Sequence, residues 1–253
     1  MVVNADDFGL DGNVNRAILE SFGRGYCSDT TIMPNMPGFE EACELAHERG
    51  LAHRVGIHLV LTDGLPLTDA IRRCPRFCSD GGAFVLKKRP HVWRLSRVES
   101  EALRQELAAQ VAACRRRGIP ISHADSHEHV HEEWAIASVV VRLCIEEGIP
   151  HVRIARNCGP RRSLGIWAYR KLANLRLRRA GLAWTNYFGS AEDYRHLLTR
   201  KGVTLRTQSA EVMIHPMYDA SGALVDRLSR RPLADDADLL RLAAPEPSAR
   251  SSG

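Results

Sequence analysis

The sequence lacks the features of a membrane or secreted protein. No apolar run approaches the ~18 residues of a transmembrane helix, and the opening MVVNADDF has neither the basic nor the apolar region of a signal peptide. The seven cysteines form an odd-numbered set without a CxxC pair, which argues against a disulfide framework. We therefore expect a soluble cytoplasmic protein with reduced thiols.

Acidic residues are absent from 148 to 191, although this segment contains nine basic residues. These are Arg153, Arg156, Arg161, Arg162, Arg170, Lys171, Arg176, Arg178 and Arg179. A solvated helix face is the ordinary explanation, but such a surface would also attract phosphate-bearing partners, so a basic nucleic-acid or membrane-surface binding protein stays an alternative. No aromatic platform or nucleic-acid motif accompanies the segment, so we expect no nucleic-acid partner.

The chain alternates short apolar runs with amphipathic segments. Its 253 residues, 44% hydrophobic and 26% charged, are enough for one large globular domain. The predicted strands are VVNAD, SDTTIMP, RVGIHLVL, ISHAD, HVRIA, TNYF and EVMIHP, and the predicted helices lie near 13–24, 38–49, 99–117, 132–147, 164–180 and 190–201. This order predicts an α/β fold in which about seven parallel strands form a closed or nearly closed barrel.

Two segments depart from that alternation. Residues 63–98 form an insertion rich in Gly, Pro and charge, which is typical of a lid or substrate loop and equally of an ornamental loop. From 229 to 253 the periodicity is lost and the chain ends in Pro, Ser and Ala. We therefore predict one domain over 1–228 and a disordered C-terminal tail over 229–253.

The segment HADSHEHVH, residues 123–131, contains four of the 11 histidines. In an extended chain alternate side chains share a face. That face would present His123, Asp125, His127, His129 and His131. The segment lies where a predicted strand leads into a helix, which is where α/β proteins build active sites. A metal or proton-transfer site is the favoured interpretation, and a solvated loop is the alternative.

Polar residues also follow or end other predicted strands. They are Asn4, Asp6 and Asp7 in NADDFG, His58 in GIHLVLT, and Glu211 and His215 in AEVMIHPMY. In a barrel these side chains converge at one end, and one carboxylate with two imidazoles makes an open site for a catalytic divalent ion. Taken singly, each has an alternative: Asp6 or Asp7 as a helix cap, and His58 or His215 as a buried structural histidine.

The motifs NADDFGL, SDTT, GIHLVLTDGLPLT, HADSHEHVH and MIHPMY resemble, in order, those of the YdjC-like carbohydrate deacetylases, a group that includes chitooligosaccharide and hopanoid-associated deacetylases. The resemblance extends over about residues 1–220. Departures are Glu128, where some members have histidine, and Met217, where glycine often follows His-Pro. The chain also starts close to the aspartate pair, so we expect the first strand to be a residue or two short.

The resemblance implies a deformed (β/α) barrel and a metal-dependent hydrolase that removes the N-acetyl group of an amino sugar by attack of metal-activated water. By resemblance the ion is held by Asp7, His58 and His127. Asp6 is then the candidate base and His215 the candidate acid or oxyanion partner. Asp125, His129 and His131 are expected to orient ligands or touch substrate. The expected ion is Mg²⁺, with Zn²⁺ as the alternative.

A metal-dependent phosphoesterase is the competing enzyme function, and it would be favoured by extra ligands at His129 and His131. The expected partner is an N-acetylated sugar. Residues 164–182 mix apolar residues with cations, so we also expect an anionic or lipid carrier on that sugar. The sequence leaves open whether the protein forms a homo-oligomer.

Overall fold

A central parallel sheet organises the molecule. The computed structural model describes residues 1–86, 92–160, 163–199 and 208–241. The strands of the sheet are β1 (Val2–Phe8), β2 (Asp29–Ile32), β3 (Val55–Leu59), β4 (Ala124–Ser126), β5 (Tyr187–Ser190) and β6 (Ala210–Ile214). All neighbours are parallel, in the order β4-β3-β2-β1-β6-β5. The sheet curls into a half-barrel with the helices around it, as the predicted deformed barrel requires.

The helices connect and cover the strands. They are α1 (Gly12–Gly23), α2 (Phe39–Glu48), α3 (Asp69–Arg72), α4 (Arg97–Arg116), α5 (Trp134–Glu146), α6 (Leu164–Arg179), α7 (Ala191–Leu198) and α8 (Ala237–Leu240). Every predicted helix is confirmed within a few residues, although the predicted end of the last one, at 200–201, lies outside the described residues. None of the helices that the structure describes is long and apolar enough to cross a bilayer.

The sheet has six strands instead of about seven, because the predicted strand at 151–155 is reduced to single bridges. Val152 pairs in parallel with Ala124 on one side and Ala183 on the other. Both backbone groups of Ala155 are taken by the side chain of Asn174, which accepts from its N–H at 2.7 Å and donates to its C=O at 2.9 Å. Those groups are therefore not free to continue a strand ladder.

Alternation along β1 separates a hydrophobic face from a polar one. Val3 and Ala5 belong to the hydrophobic core. Asn4 and Asp6 point the other way, where Asn4 donates hydrogen bonds to Asp6 at 2.7 Å and to Thr31 of β2 at 3.0 Å. Successive side chains of a strand point to opposite faces, so Asn4 and Asp6 line the polar face of the sheet.

The described part of the 63–98 insertion is packed against the barrel. Ile71, Phe77 and Phe84 are buried, and the Glu106 carboxylate on α4 accepts hydrogen bonds from the backbone N–H groups of Leu67 and Thr68 at 3.0 and 2.8 Å. Residues 87–91 of the insertion lie outside the described residues. The described part of this segment is therefore packed into the fold, and its use as a lid or substrate loop stays a prediction.

Ordered structure continues past residue 229, contrary to the prediction of a tail that begins there. After the antiparallel hairpin of β7 (Pro216–Tyr218) and β8 (Leu224–Asp226), a 3₁₀ turn over Leu233–Asp236 leads into α8. Leu233 and Leu240 are buried, and this burial explains why the short segment is ordered. Residues 242–253 of the predicted tail lie outside the described residues.

Candidate active site

The predicted site residues come together at the carboxyl edge of the sheet. Asp6 and Asp7 end β1, His58 lies near the end of β3, and Asp125 lies beside it in β4, where the two residues are paired in register. His215 directly follows β6. Parallel strands present their carboxyl ends at one edge, which brings together residues that are far apart in the sequence.

Asp7, His58 and His127 form a buried cluster suited to a divalent ion. His58 Nε2 lies 3.2 Å and His127 Nδ1 lies 3.0 Å from the same Asp7 oxygen, and one potential ligand atom from each residue lies within 4.8 Å of the others. Burial raises the pKa of Asp7, but hydrogen bonds from His127 and His58 outweigh it, so the pKa lies well below its ordinary value. One anionic oxygen ligand and two imidazoles fit a catalytic metal site.

Asp125 orients His58 towards that cluster. Its Oδ1 lies 2.6 Å from His58 Nδ1, and its Oδ2 accepts a hydrogen bond from Thr31 at 3.1 Å. This leaves Nε2 of His58 facing Asp7. Burial lowers the pKa of His58, but Asp125 and then Asp7 overcome that effect and raise it to about 10. A carboxylate behind a ligand histidine fixes its ring and increases its basicity.

Asp63 supplies the equivalent partner for His127. Its Oδ2 lies 3.0 Å from His127 Nε2, and its side chain is about half exposed. Asp63 is not among the predicted site residues, because it begins the segment that the sequence indicates to be an insertion. The available signal was its position in GIHLVLTD, only a few residues after the strand that carries His58.

Asp6 lies outside the Asp7 cluster. Its carboxylate also has potential ligand atoms of His58 and Asp125 within 4.8 Å, but a buried arginine holds it there. Arg153 donates from its two terminal nitrogens to the two oxygens of Asp6, both at 2.7 Å. Burial would raise the pKa of Asp6, but the charge and hydrogen bonds of Arg153 lower it to about 2. This two-pronged geometry fixes the carboxylate in position and keeps it ionised at neutral pH.

Arg153 is fully buried and connects three carboxylates. Besides Asp6, it contacts Asp125 at 2.6 Å and Glu211 at 2.6 Å. Burial lowers its pKa, but Asp125, Asp6 and Glu211 more than reverse that effect and hold it well above the ordinary value. The assignment of Arg153 to a solvated basic face is therefore wrong, because the side chain points into the barrel.

Glu211 on β6 completes this buried network. Burial raises its pKa to about 7 despite the adjacent guanidinium of Arg153, and the nearby charges of Asp125 and Asp6 add to the increase. The side chain is therefore partly protonated near neutral pH. The pKa of Asp6 is lowered instead, because Asp6 accepts hydrogen bonds from two nitrogens of the same arginine.

His215 lies between two carboxylates. Its Nε2 is 3.7 Å from Asp6 Oδ2 and its Nδ1 is 3.7 Å from Asp226 Oδ2. Burial lowers the pKa of His215, but Asp226 and then Asp6 raise it above the ordinary value. Asp226 also accepts the backbone N–H of His215 at 2.8 Å. The arrangement favours a protonated imidazole next to the Asp6 carboxylate.

The row of side chains predicted over 123–131 is interrupted after His127. Glu128 and His129 have positive φ values of 52° and 54°, so the extended alternation is broken and a 3₁₀ turn follows. His131 Nδ1 lies 2.6 Å from Ser126 Oγ, and the His129 ring lies edge-on to Phe188. Among the described residues, neither histidine belongs to a group able to hold a metal ion.

Arg227 is a further site residue that sequence reasoning missed. It follows β8, and its guanidinium contacts the Asp7 carboxylate, while its backbone N–H donates to the His215 carbonyl at 2.8 Å. No motif marks it, because its position depends on the β7–β8 hairpin folding back over the end of β1.

Comparison with known proteins agrees with this architecture. Residues 1–245 match the sequence model of the family described as YdjC-like protein. The chain is 33% identical over 220 residues to a carbohydrate deacetylase of Geobacillus stearothermophilus, a match that covers 86% of this chain and 79% of that protein. It is 39% identical over 150 residues to a carbohydrate deacetylase of Brevibacillus brevis, covering 59% of this chain and 57% of the relative.

A solved structure shares the fold. The proposed cellobiose-phosphate cleavage protein of Enterococcus faecalis V583 superposes with a TM-score of 0.64, and the match covers 96% of this chain and 89% of the other. The sequences are 22% identical, so this similarity is evidence for the fold alone.

Proposed function

Because the chain belongs to the YdjC-like protein family, we propose that it is a metal-dependent carbohydrate deacetylase that hydrolyses the N-acetyl group of an amino sugar. The observation that carries the proposal is that different residues of one site are suited to ion binding and to proton transfer. A three-residue cluster is suited to an ion, and a different carboxylate, Asp6, is held ionised beside His215. The relatives that are carbohydrate deacetylases support the same activity.

The ion in this proposal is held by Asp7, His58 and His127, with Mg²⁺ as first choice and Zn²⁺ as the alternative. When bound, a divalent ion polarises the acetyl carbonyl and makes nearby water more acidic. Asp125 and Asp63 hold the two imidazoles in orientation. Two neutral nitrogen ligands favour zinc, whereas the family resemblance favours magnesium.

Asp6 is the proposed general base. It accepts a proton from the attacking water as the water oxygen bonds to the acetyl carbon. A carboxyl with a pKa of about 2 is a weak base, so this role requires water that is already acidified. Arg153 holds both Asp6 oxygens, and the water must therefore approach a fixed carboxylate.

His215 is the proposed general acid. Its raised pKa favours the protonated ring, and its Nε2 faces Asp6. As the carbon–nitrogen bond breaks, His215 gives a proton to the departing amine and acetate is released. Asp226 stabilises the charged imidazolium before that transfer and keeps the ring oriented.

The phosphoesterase alternative has less support. Extra ligands at His129 and His131 would favour it, and neither residue belongs to a group able to hold an ion among the described residues. For the substrate, we propose an N-acetylamino sugar attached to an anionic or lipid carrier, since exposed apolar residues and cations occur together on α6.

Mass spectrometry of a substrate panel tests the proposed activity. Free, nucleotide-linked and lipid-linked N-acetylated sugars are incubated with metal-loaded protein, and loss of one acetyl group is expected for at least one class. Chelation should abolish the loss, and a divalent ion should restore it. His58→Ala and His127→Ala should lose bound ion and activity together, because each removes one of few ligands.

His47→Ala is the matched control, since His47 lies exposed on α2, where its Nε2 lies 2.8 Å from the Arg117 carbonyl oxygen. It should keep the wild-type content of metal by elemental analysis. Full metal content in the His58 or His127 variant would refute the ligand assignment. Release of phosphate, with no deacetylation of any sugar, would replace the proposed function with the phosphoesterase.

A further inference from the structure

Helix α6 exposes apolar side chains on its outward face. Ala173, Asn174 and Leu177 are buried against the barrel. On the opposite side Leu164 is 77% exposed and Leu172 is 56% exposed. A helix on the surface of a globular protein ordinarily presents polar residues to water and one apolar stripe to the core. Here apolar residues occur on both sides of the helix, so packing against the barrel does not account for the outer leucines.

Three of the four tryptophans lie on or beside the same helix and are exposed. Trp93 is 56% exposed, and Trp134 and Trp167 are each 37% exposed. The Trp93 ring lies 5.5 Å from that of Tyr169 on α6. Tryptophan combines a large apolar ring with a polar N–H and is enriched where apolar and aqueous surroundings meet.

The charge on this helix is entirely positive. No Asp or Glu occurs from 148 to 191, and Lys171, Arg178 and Arg179 project near the outer leucines at helical spacing. Lys171 lies over the Trp167 ring at 5.1 Å. We call the α6 surface the outward set Leu164, Trp167, Lys171, Leu172, Leu175, Arg178 and Arg179.

A cavity of about 700 Å³ opens beside the α6 surface. Arg156, Arg170 and Lys171 line it together with Ile166 and Trp167. Among its described lining residues the acidic one is Asp193, which is paired with Arg156 at 2.9 Å. The cavity thus repeats the chemistry of the surface, with cations next to apolar side chains.

This combination discriminates between possible occupants. A second copy of the chain placed on the α6 surface would bring Lys171, Arg178 and Arg179 against their own equivalents, which is unfavourable without intervening acids. A nucleic acid would complement the charge but would leave the leucines in water. An anionic bilayer satisfies both features, because phosphates pair with the cations while leucine and tryptophan enter the boundary of headgroups and acyl chains.

We propose that the α6 surface docks on a bilayer that contains anionic phospholipid. Leu164, Trp167 and Leu172 enter the interface, and Lys171 and Arg179 contact lipid phosphates. The adjoining cavity receives a headgroup. The docking does not depend on the proposed deacetylation, since the α6 surface and the Asp7 cluster share no residue.

Co-sedimentation with vesicles tests the docking. The full chain should sediment with vesicles of phosphatidylcholine mixed with phosphatidylglycerol and stay in solution with phosphatidylcholine alone. The double charge reversal Lys171→Glu/Arg179→Glu should lower partitioning at least about tenfold, since two cations that attract the anionic surface become anions that it repels. Leu164→Ser/Leu172→Ser should lower it as well, because the apolar contribution is lost.

The control Arg49→Glu/Arg116→Glu makes the same change in net charge on exposed positions of α2's end and α4, and it should bind vesicles as the wild type does. Far-UV circular dichroism verifies that each variant is folded. Equal binding of all variants, or no binding of the wild type to anionic vesicles, would overturn the proposal. So would a wild-type dimer in light scattering that the leucine variant converts to monomer, because the surface would then belong to a second copy.

Discussion

Asp6 and Asp7 are adjacent residues with different surroundings. Asp6 points into the barrel and is held by Arg153, whereas Asp7 faces His58 and His127. Asp7 has a φ of 73°, a conformation that costs a residue with a side chain on the order of 1–3 kcal/mol. The chain accepts that strain where β1 ends, and one strand thereby supplies both a proposed base and a proposed ligand.

Substitution of each aspartate by asparagine should separate these roles. Asp6→Asn should retain bound ion while turnover falls on the order of 10²–10⁴-fold, because a general base is lost. Asp7→Asn should lose ion affinity, because the anionic ligand is gone. Elemental analysis and rate measurements on the same samples distinguish the two. If Asp6→Asn loses the ion and Asp7→Asn keeps it, the assigned roles are reversed.

Asp63 offers a sharper test of orientation at the residue scale. Its contact with His127 Nε2 predicts that Asp63→Asn lowers ion affinity about 10–100-fold, because the ligand ring loses its carboxylate partner. Calorimetric titration of metal-free protein measures the effect. Asp80→Asn removes an exposed carboxylate from the same region of the chain and should leave affinity unchanged. Equal affinities for both variants would remove Asp63 from the site.

Sequence reasoning found the residues at strand ends and missed those positioned by distant contacts. Asp7 and His58 lie near the ends of their strands and His127 follows β4, all in recognisable motifs, so a parallel sheet explains their convergence. Arg153 belongs to a segment that reads as a solvated basic face, and its contacts with Asp6 and Glu211 span 147 and 58 residues. Nothing local distinguishes a buried arginine from an exposed one.

At the scale of elements, the close approach of β3 and β4 sets the position of the site. Gly56 on β3 lies against His123, whose carbonyl oxygen would be only 2.6 Å from a Cβ added at Gly56. The same carbonyl accepts the Ile57 N–H at 2.8 Å. A side chain at position 56 would therefore push apart the strands that carry His58 and Asp125.

Gly56→Ala should destabilise the fold by about 1–3 kcal/mol or more, since the obstructing atom is backbone and yields little. It should also weaken ion binding, because β4 is displaced. Urea unfolding measures the first effect and metal titration the second. Gly23→Ala, at the exposed end of α1 with no atom within 4 Å of the added Cβ, should be neutral or slightly stabilising. Wild-type stability of Gly56→Ala would refute the packing argument.

Element boundaries were predictable where periodicity was strong. The amphipathic helices α1, α2 and α4 begin and end within two residues of their predicted bounds. The conformation of segment 123–131 was not predictable in this way. Alternation of its side chains requires an extended backbone over the whole segment. Glu128 and His129 turn the chain with positive φ, and pairs of such residues are rare outside glycine, so no propensity rule anticipates them.

At the scale of the whole molecule, the buried charges couple stability to pH. Glu211 has a pKa raised from 4.5 to about 7, so between these values the folded protein holds a proton that the unfolded chain has released. The contribution is complete below pH 4.5 and is lost as pH rises through 7. Asp6 and Asp226, with pKa values lowered to about 2, change protonation below that window.

Glu211→Gln should remove this dependence. The free energy of unfolding of the wild type should fall relative to the variant by on the order of 2–3 kcal/mol between about pH 5 and about pH 8. Urea unfolding of both proteins at both pH values measures the difference, in which titration of the remaining groups cancels. A constant difference across this range would mean that Glu211 is ionised throughout.

The buried cysteine thiols can serve as internal reporters of local opening. All seven cysteines are buried and none forms a disulfide, and burial raises the pKa of Cys78 to about 11 and of Cys144 to about 12. A thiolate reacts and a thiol does not, so alkylation proceeds only when a segment opens. Cys78 in the insertion records local opening there, and Cys144 on α5 records unfolding of the barrel. Counting the alkyl groups acquired over time would thus resolve which parts of this protein open separately.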